Sequence, residues 1–417
     1  MDNKKILNAV EKQFHEKYYT AKELEYSNKA GTFLSPLEYR QFLAYKEDLA
    51  SEGSPYISPL PLPSFNSRFL YYSACNELNS FLDSYHQLSE DENYPIDRFS
   101  SAYIESRIYS EIEGTVNIEN VPTTRSRLKQ LLEEDAPVRN INDIIIKNMK
   151  AGIDFVHELP EFNKENLFRL YFLLSHDCLN ENDRLRPGDH YRFDSVEISR
   201  YHGCPFDKID DCMNALFCYV DHVLHSGNIS EKVLLPHICH YYILYIHPYF
   251  DYNGRTARMV SYWIYLLSGA DLFPPVISEA INQTKSRYYR AIELSRDSHN
   301  DLTYFFLYLF SVSLDYLICY QNLEHFTQAA KNSGSVLTQT DLNYLMKILI
   351  SYNGAFSYAD FLKTANVSMS KQGALKILNR FLKLGFLKEM TNTGKTKLFD
   401  INKDNIPYSL KSLNHQH

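Results

Sequence analysis

Residues 247 to 258 read His-Pro-Tyr-Phe-Asp-Tyr-Asn-Gly-Arg-Thr-Ala-Arg, a polar turn between the apolar stretch Ile238 to Ile246 and a segment, Thr256 to Leu267, whose periodicity predicts a helix. Asn253 and Gly254 can turn the backbone so that successive N–H groups face one concavity, where an anion also meets a helix N-terminus. Arg255 and Arg258 stand three apart, so both project from one face of that helix's first turn. Asp251 offers the hard oxygen that magnesium takes when it bridges phosphates. His247 closes the apolar stretch, where an imidazole can take a proton from an attacking hydroxyl. Together these residues make an inventory for handling a nucleotide's phosphates.

The run closely resembles the signature of the Fic (filamentation induced by cAMP) family, H-P-F-x-[D/E]-G-N-G-R-x-x-R. Two positions depart from it: Tyr249 stands for Phe, and Tyr252 for the first Gly of G-N-G. If the loop needs positive φ at 252, a tyrosine there is strained by about 1–2 kcal/mol. The resemblance implies transfer of AMP from ATP to a Tyr, Ser or Thr hydroxyl of a protein, with release of pyrophosphate. In that scheme His247 is the base and Asp251 holds Mg²⁺. Asn253, Gly254 and Arg255 bind phosphate oxygens, and Arg258 orients the γ-phosphate. Two alternatives stay open: a DNA-binding regulator with a degenerate nucleotide-sensing core, and a Fic enzyme that removes AMP or moves another phosphate-containing group.

A chain of 417 residues, 44% hydrophobic, is long enough for two or three buried cores. Its net charge of −8 argues against a surface that binds nucleic acid throughout, and leaves room for a local basic patch. The seven cysteines are scattered and never spaced C-x-x-C, which points away from a disulfide framework or zinc site and toward a reducing cytoplasm. Met1 to Lys17 has no apolar core of signal-peptide length. Leu302 to Tyr320 is nearly long enough to span a bilayer, but it carries Thr303, Ser311, Ser313 and Asp315 and lacks basic flanks. It reads as a core helix, with no membrane partner expected.

Helical periodicity dominates, so the predicted class is mainly α: a Fic helical core with a β-hairpin flap, plus a C-terminal winged helix-turn-helix domain. The expected divisions are an N-terminal helical region (1–120), a catalytic core (121–330) and the winged helix (335–403). Prolines make Ser51 to Phe65 an extended crossing segment, with helices expected at Arg68 to Ser89 and at Ser100 to Glu113, capped by Gly114. Between Arg186 and Pro205, Val196-Glu197-Ile198 alternates like a strand. The lead-in Pro187, Gly188, Tyr191 and Arg192 resembles that of the family's flap, which implies that a target segment docks on Val196, Glu197 and Ile198 by strand addition. Ser286 to Ile292 with Asp301-Leu302 resembles the family's Y-Y-x-x-L…G-D-L stretch, which makes Tyr289 the candidate for stacking on adenine.

Tyr109 to Gly114 partly resembles the family's inhibitory motif, [S/T]-x-x-x-E-[G/N], with Tyr109 in the Ser/Thr position. That places Glu113 as a carboxylate competing with the γ-phosphate for Arg258. The resemblance also implies self-association, so a homodimer is a candidate assembly. From Ser335 to Asn402, nine basic residues against four acidic ones give +5, opposite in sign to the whole chain. Lys371 and Gln372 open the third helix of this module and Lys395 lies at its wing. DNA is thus a candidate partner through 335–403, beside the dimerisation or protein-docking roles that winged helices also take.

Overall fold

The computed structural model describes residues 3–26, 31, 33–90, 101–198, 200–268, 277–352, 354–365, 369–390 and 397–405. Two compact units divide the chain, Met1–Phe310 and Ser311–His417. Helices account for most of both, as the periodicity predicts.

The first unit opens with α1 (Asn3–His15), α2 (Ala21–Tyr26) and α3 (Pro36–Ser51). α3 starts on a capping box between Ser35 and Glu38 with Pro36 in its first turn, which satisfies two otherwise orphaned N–H groups. Phe14, Leu24, Phe42 and Leu43 from these helices form a core with Leu34, which precedes α3, and with Tyr71. The extended crossing segment is in part a strand, β1 (Ile57–Leu60), paired antiparallel with β2 (Leu70–Ser73). The helix expected from Arg68 therefore begins later, as α4 (Asn76–Glu90). Tertiary pairing overrides the helical periodicity here. Leu302 N–H donates to the Tyr71 carbonyl at 2.8 Å and Ser73 N–H to Thr303 Oγ1 at 2.8 Å, holding Leu70–Ser73 extended.

Lys46 of α3 and Asp301, 1% and 0% exposed, form an ion pair at 2.6 Å. Lys46 also donates to Gln13 Oε1 at 3.2 Å, and the Tyr18 hydroxyl donates to the same Asp301 carboxylate. Removing one partner of a buried pair leaves an uncompensated charge. Lys46→Ala is thus expected to lower unfolding free energy by about 3–5 kcal/mol in urea denaturation, and a midpoint unchanged from wild type would contradict this role.

α5 (Ser101–Ile118) runs past Gly114, the expected cap. Gly114 sits inside the helix because a Cβ there would lie 2.5 Å from the Ser278 carbonyl carbon; the glycine serves close packing rather than termination. The helix ends instead at Asn120 (φ 58°), with Val121 N–H bonded to the Val116 carbonyl at 2.9 Å.

α6 (Arg125–Leu132), α7 (Ile141–His157) and α8 (Lys164–Ser175) follow, and then the predicted hairpin, β3 (Glu197–Ile198) and β4 (Tyr201–His202). α9 (Ile209–Ser226) precedes α10 (Ile229–Ile246), which is buried on every side from Val233 and packs along α11 (Asn253–Ser268). α12 (Ile277–Gln283) packs on α5, and α13 (Lys285–Asp297) leads into α14 (Thr303–Asn332). α14 is long and apolar enough to cross a membrane by length and composition, yet its apolar window is 82% buried inside the protein, as expected of a core helix.

The second unit begins within α14 and continues with α15 (Gln339–Ser351), β5 (Phe356–Ser357), α16 (Tyr358–Ala365), α17 (Lys371–Lys383), β6 (Leu387–Met390) and β7 (Leu398–Ile401). Its strands form one antiparallel sheet in the order β5-β7-β6, over a core that includes Leu345, Leu349, Phe361, Leu378, Phe381 and Phe399. The expected wing turn, with Thr391 to Gly394 and Lys395, lies outside the described residues.

Candidate active site

The site forms where α10 stops and α11 starts. His247 caps α10 in the left-handed region (φ 56°), its N–H still bonded to the Ile243 carbonyl at 2.9 Å. A β-carbon residue in that conformation needs support, and buried Arg192 gives it. Its Nε donates to the His247 carbonyl at 2.8 Å and its Nη1 to the Asp194 carbonyl at 2.6 Å. Nη2 reaches the Cys204 and Ile246 carbonyls, and the Arg192 backbone N–H bonds to the Pro248 carbonyl at 2.9 Å. The base of the flap is thereby tied to the His247 loop. Gly203 makes room for this arrangement, since a Cβ there would lie 2.8 Å from Arg192 Nη2. Burial, with the charges of Arg296 and Arg192 added, pushes the His247 imidazole down to about 4, so at neutral pH it is unprotonated and can accept a proton.

Asn253 spends its side chain inside the loop. Its side-chain amide donates to the Tyr249 carbonyl at 2.8 Å and accepts from Tyr249 N–H at 3.0 Å, so both ends are spent on closing the loop. What it offers an anion is its backbone N–H. With those of Gly254 and Arg255 it belongs to the first turn of α11, where N–H groups have no intrahelical acceptor. Tyr249 is itself fixed by stacking on Tyr171 at 3.6 Å between ring centroids.

Tyr252 does occupy the strained conformation, at φ 67°. Its N–H bonds to Asp251 Oδ1 at 2.6 Å, and the Arg255 guanidinium lies 3.4 Å from the centre of its buried ring. A desolvated cation–π contact contributes about 2 kcal/mol, comparable to the 1–2 kcal/mol of left-handed strain. The loop therefore keeps the backbone turn of a glycine while gaining a platform that orients Arg255. The Asp251 side chain is 50% exposed, with Oδ2 a distant 3.9 Å from Arg255. Among the described residues no group of three or more His, Cys, Asp or Glu side chains gathers as a metal site. A single open carboxylate oxygen suits magnesium carried in by phosphates rather than caged by protein.

The carboxylate on Arg258 is Glu119, not Glu113. Arg258, 2% exposed, donates from Nη2 to Glu119 Oε1 at 2.7 Å and from Nε to Thr115 Oγ1 at 2.8 Å. Burial would raise the Glu119 carboxyl, but the charge and hydrogen bond of Arg258, with Arg255 and Lys285, outweigh it and hold the group below its ordinary value. Glu113 instead pairs with Arg125 at 3.7 Å. Six residues along an α-helix amount to a rotation of about 240° beyond a full turn, so the two glutamates cannot face the same arginine. The sequence held the signal: Thr115-Val-Asn-Ile-Glu119-Asn120 fits [S/T]-x-x-x-E-[G/N] at every specified position. Its last position is the left-handed Asn120 that ends α5, a conformation glycine and asparagine adopt most readily. Gly254 admits the carboxylate, because a Cβ there would stand 2.7 Å from Glu119 Oε1.

Tyr289, 43% exposed, rests against buried Tyr288 at 5.2 Å between ring centroids, and burial, with the Glu119 charge added, raises its hydroxyl above the ordinary value. The flap pairs Glu197 with His202 and Ile198 with Tyr201; Val196 adds its carbonyl to Gly203 N–H at 3.1 Å. Among the described residues, no other strand pairs with β3.

Residues 161–265 match the model of the Fic/DOC family. A protein adenylyltransferase Fic from Nematostella vectensis is 38% identical over 113 residues, 27% of this chain and 24% of that protein. One of the same description from Drosophila grimshawi is 33% identical over 79 residues, 18% of this chain and 15% of its own length. The matches thus span about a quarter or less of these curated relatives. A crystal structure of a Fic family protein from Desulfovibrio desulfuricans G20 superposes with a TM-score of 0.50 at 16% identity, covering 79% of this chain and 97% of that one, which speaks for the fold. The matched stretch, Glu161 to Tyr265, holds the His247 loop and both arginines.

Proposed function

We propose that this chain transfers AMP from ATP to a hydroxyl side chain of a protein and that Glu119 restrains the reaction. The observation that carries the reading is the clamped, neutral His247 beside the open N-terminus of α11, with Arg255 and Arg258 on the same turn. The target hydroxyl oxygen attacks the α-phosphorus while His247 takes its proton. The bond from that phosphorus to the bridging oxygen breaks, and pyrophosphate leaves with the electron pair. The N–H groups of Asn253, Gly254 and Arg255, with the Arg255 guanidinium, stabilise the developing charge. Asp251 would hold a magnesium ion, which supplies charge neutralisation on the phosphates. Arg258 orients the γ-phosphate once Glu119 gives way, Tyr289 offers a face to the adenine, and Val196, Glu197 and Ile198 dock an extended target strand.

The test is incubation of the purified chain and a cell extract with ATP labelled at either the α- or the γ-phosphate. Covalent α-label on protein is expected, with intact mass increased by one AMP; transfer of γ-label, or reversible binding alone, would contradict the reading.

A further inference from the structure

We infer that the exposed face of α17 is a docking surface for duplex DNA. This inference stands apart from the reading of the Fic site, because it rests on the second unit alone. Ala374, Leu378 and Phe381 bury one face of the helix, while Gln372, Lys376, Asn379 and Lys383 recur at steps of four, three and four on the exposed one. Those eleven steps span about 16 Å, the length of a helix segment lying in a major groove. α17 contains no acidic residue.

The four carboxylates between Ser335 and Asn402 are engaged elsewhere. Asp341 accepts two bonds from Arg380 at 2.9 and 2.8 Å, and Asp360 caps its own helix through Ser357 at 2.9 and 2.7 Å. Glu389 pairs with Lys397 at 2.8 Å, and Asp400 Oδ1 accepts the Ile401 N–H at 2.8 Å. Among the described residues no carboxylate pairs with Lys376 or Lys383, which leaves two cations seven residues apart on one stripe. Interleaved with them are two amides, the side chains that match the paired donor and acceptor on an adenine edge. Asn379 accepts from Lys397 Nζ at 3.1 Å through its carbonyl oxygen, which ties a third lysine to the same stripe. Spaced positive charge with amides between it suits a phosphate backbone flanking readable bases better than it suits an acidic peptide, which offers carboxylates without such edges.

The experiment is fluorescence anisotropy of the full chain with a labelled random-sequence duplex of about 30 base pairs. Binding is expected at 50 mM salt and should weaken roughly ten- to hundredfold at 200 mM, as two to four phosphate contacts imply. K376E/K383E should abolish it while α-phosphate labelling activity stays at the wild-type level. K376Q/K383Q, which keeps good helix formers, should weaken binding at least severalfold and serves if the reversal variant misfolds. No binding at 50 mM, wild-type binding by the glutamine variant, or displacement by polyglutamate as effective as by unlabelled duplex would overturn the inference; the last result would assign the face to an acidic protein.

Discussion

His247→Ala is expected to lower AMP transfer by about 10²–10⁴-fold while ATP affinity changes little. The side chain faces the attacking hydroxyl in the proposed reaction, whereas the phosphate-binding groups belong to α11, so the loss falls on the chemical step. Its backbone is held independently: Arg192 bonds to the carbonyl of residue 247, a contact that any side chain leaves in place. The pH dependence follows from the same burial. A histidine pushed down to about 4 stays neutral far below its ordinary value, so the acidic limb it sets lies near pH 4 rather than between 6 and 7. Single-turnover rates of α-phosphate transfer between pH 5 and 8 should show no fall on the acid side from this group. A limb near 6.5 that vanishes in His247→Ala would contradict the buried, neutral imidazole, and full activity in that variant would remove His247 as the base.

The signature loop was legible because its chemistry is local: His247, Asp251, Gly254, Arg255 and Arg258 lie within twelve residues, and short-range helix and turn rules place them. Asn253 was legible as a turn residue and not as a side chain spent on Tyr249, since that closure depends on a stacked tyrosine from α8. β2 was hidden for a related reason, its extended state being fixed by residues 302 and 303, more than two hundred positions away. Glu119 was within reach of pattern alone. As a cap, Gly114 would end the helix at Glu113, five residues before Ile118, and the choice between Glu113 and Glu119 turns on where α5 ends. Gly114 is interior because the backbone at Ser278 packs against it, a tertiary fact with no local signature. Tyr252 shows the converse: the strain was readable from the residue type, while the Arg255 contact that offsets it needed the fold.

Glu119→Gly is expected to raise AMP transfer by about ten- to hundredfold, and Glu113→Gly to leave it near wild type. A hydrogen bond between charged groups contributes about 1.5–3 kcal/mol, which is the scale of advantage the carboxylate holds over an incoming phosphate at Arg258. Removing it leaves the arginine buried and still oriented by Thr115 Oγ1 at 2.8 Å, so the cation is already aimed when an anion arrives. The γ-phosphate then supplies the missing charge and brings the α-phosphorus into line for attack, where positioning accounts for much of the rate. Acid is a poor substitute for the mutation. Arg258 holds Glu119 below its ordinary value, so the pair stays ionised through the ordinary carboxylate range and is lost only as pH falls beneath it. Activation therefore has to come from movement of α5 or from competition by phosphate. Initial rates of α-phosphate incorporation at saturating ATP separate the two glutamates. A Glu119→Gly rate equal to wild type, with ATP binding intact, would show that the Arg258 ion pair does not limit the reaction, and a gain confined to Glu113→Gly would return the brake to the residue six positions earlier.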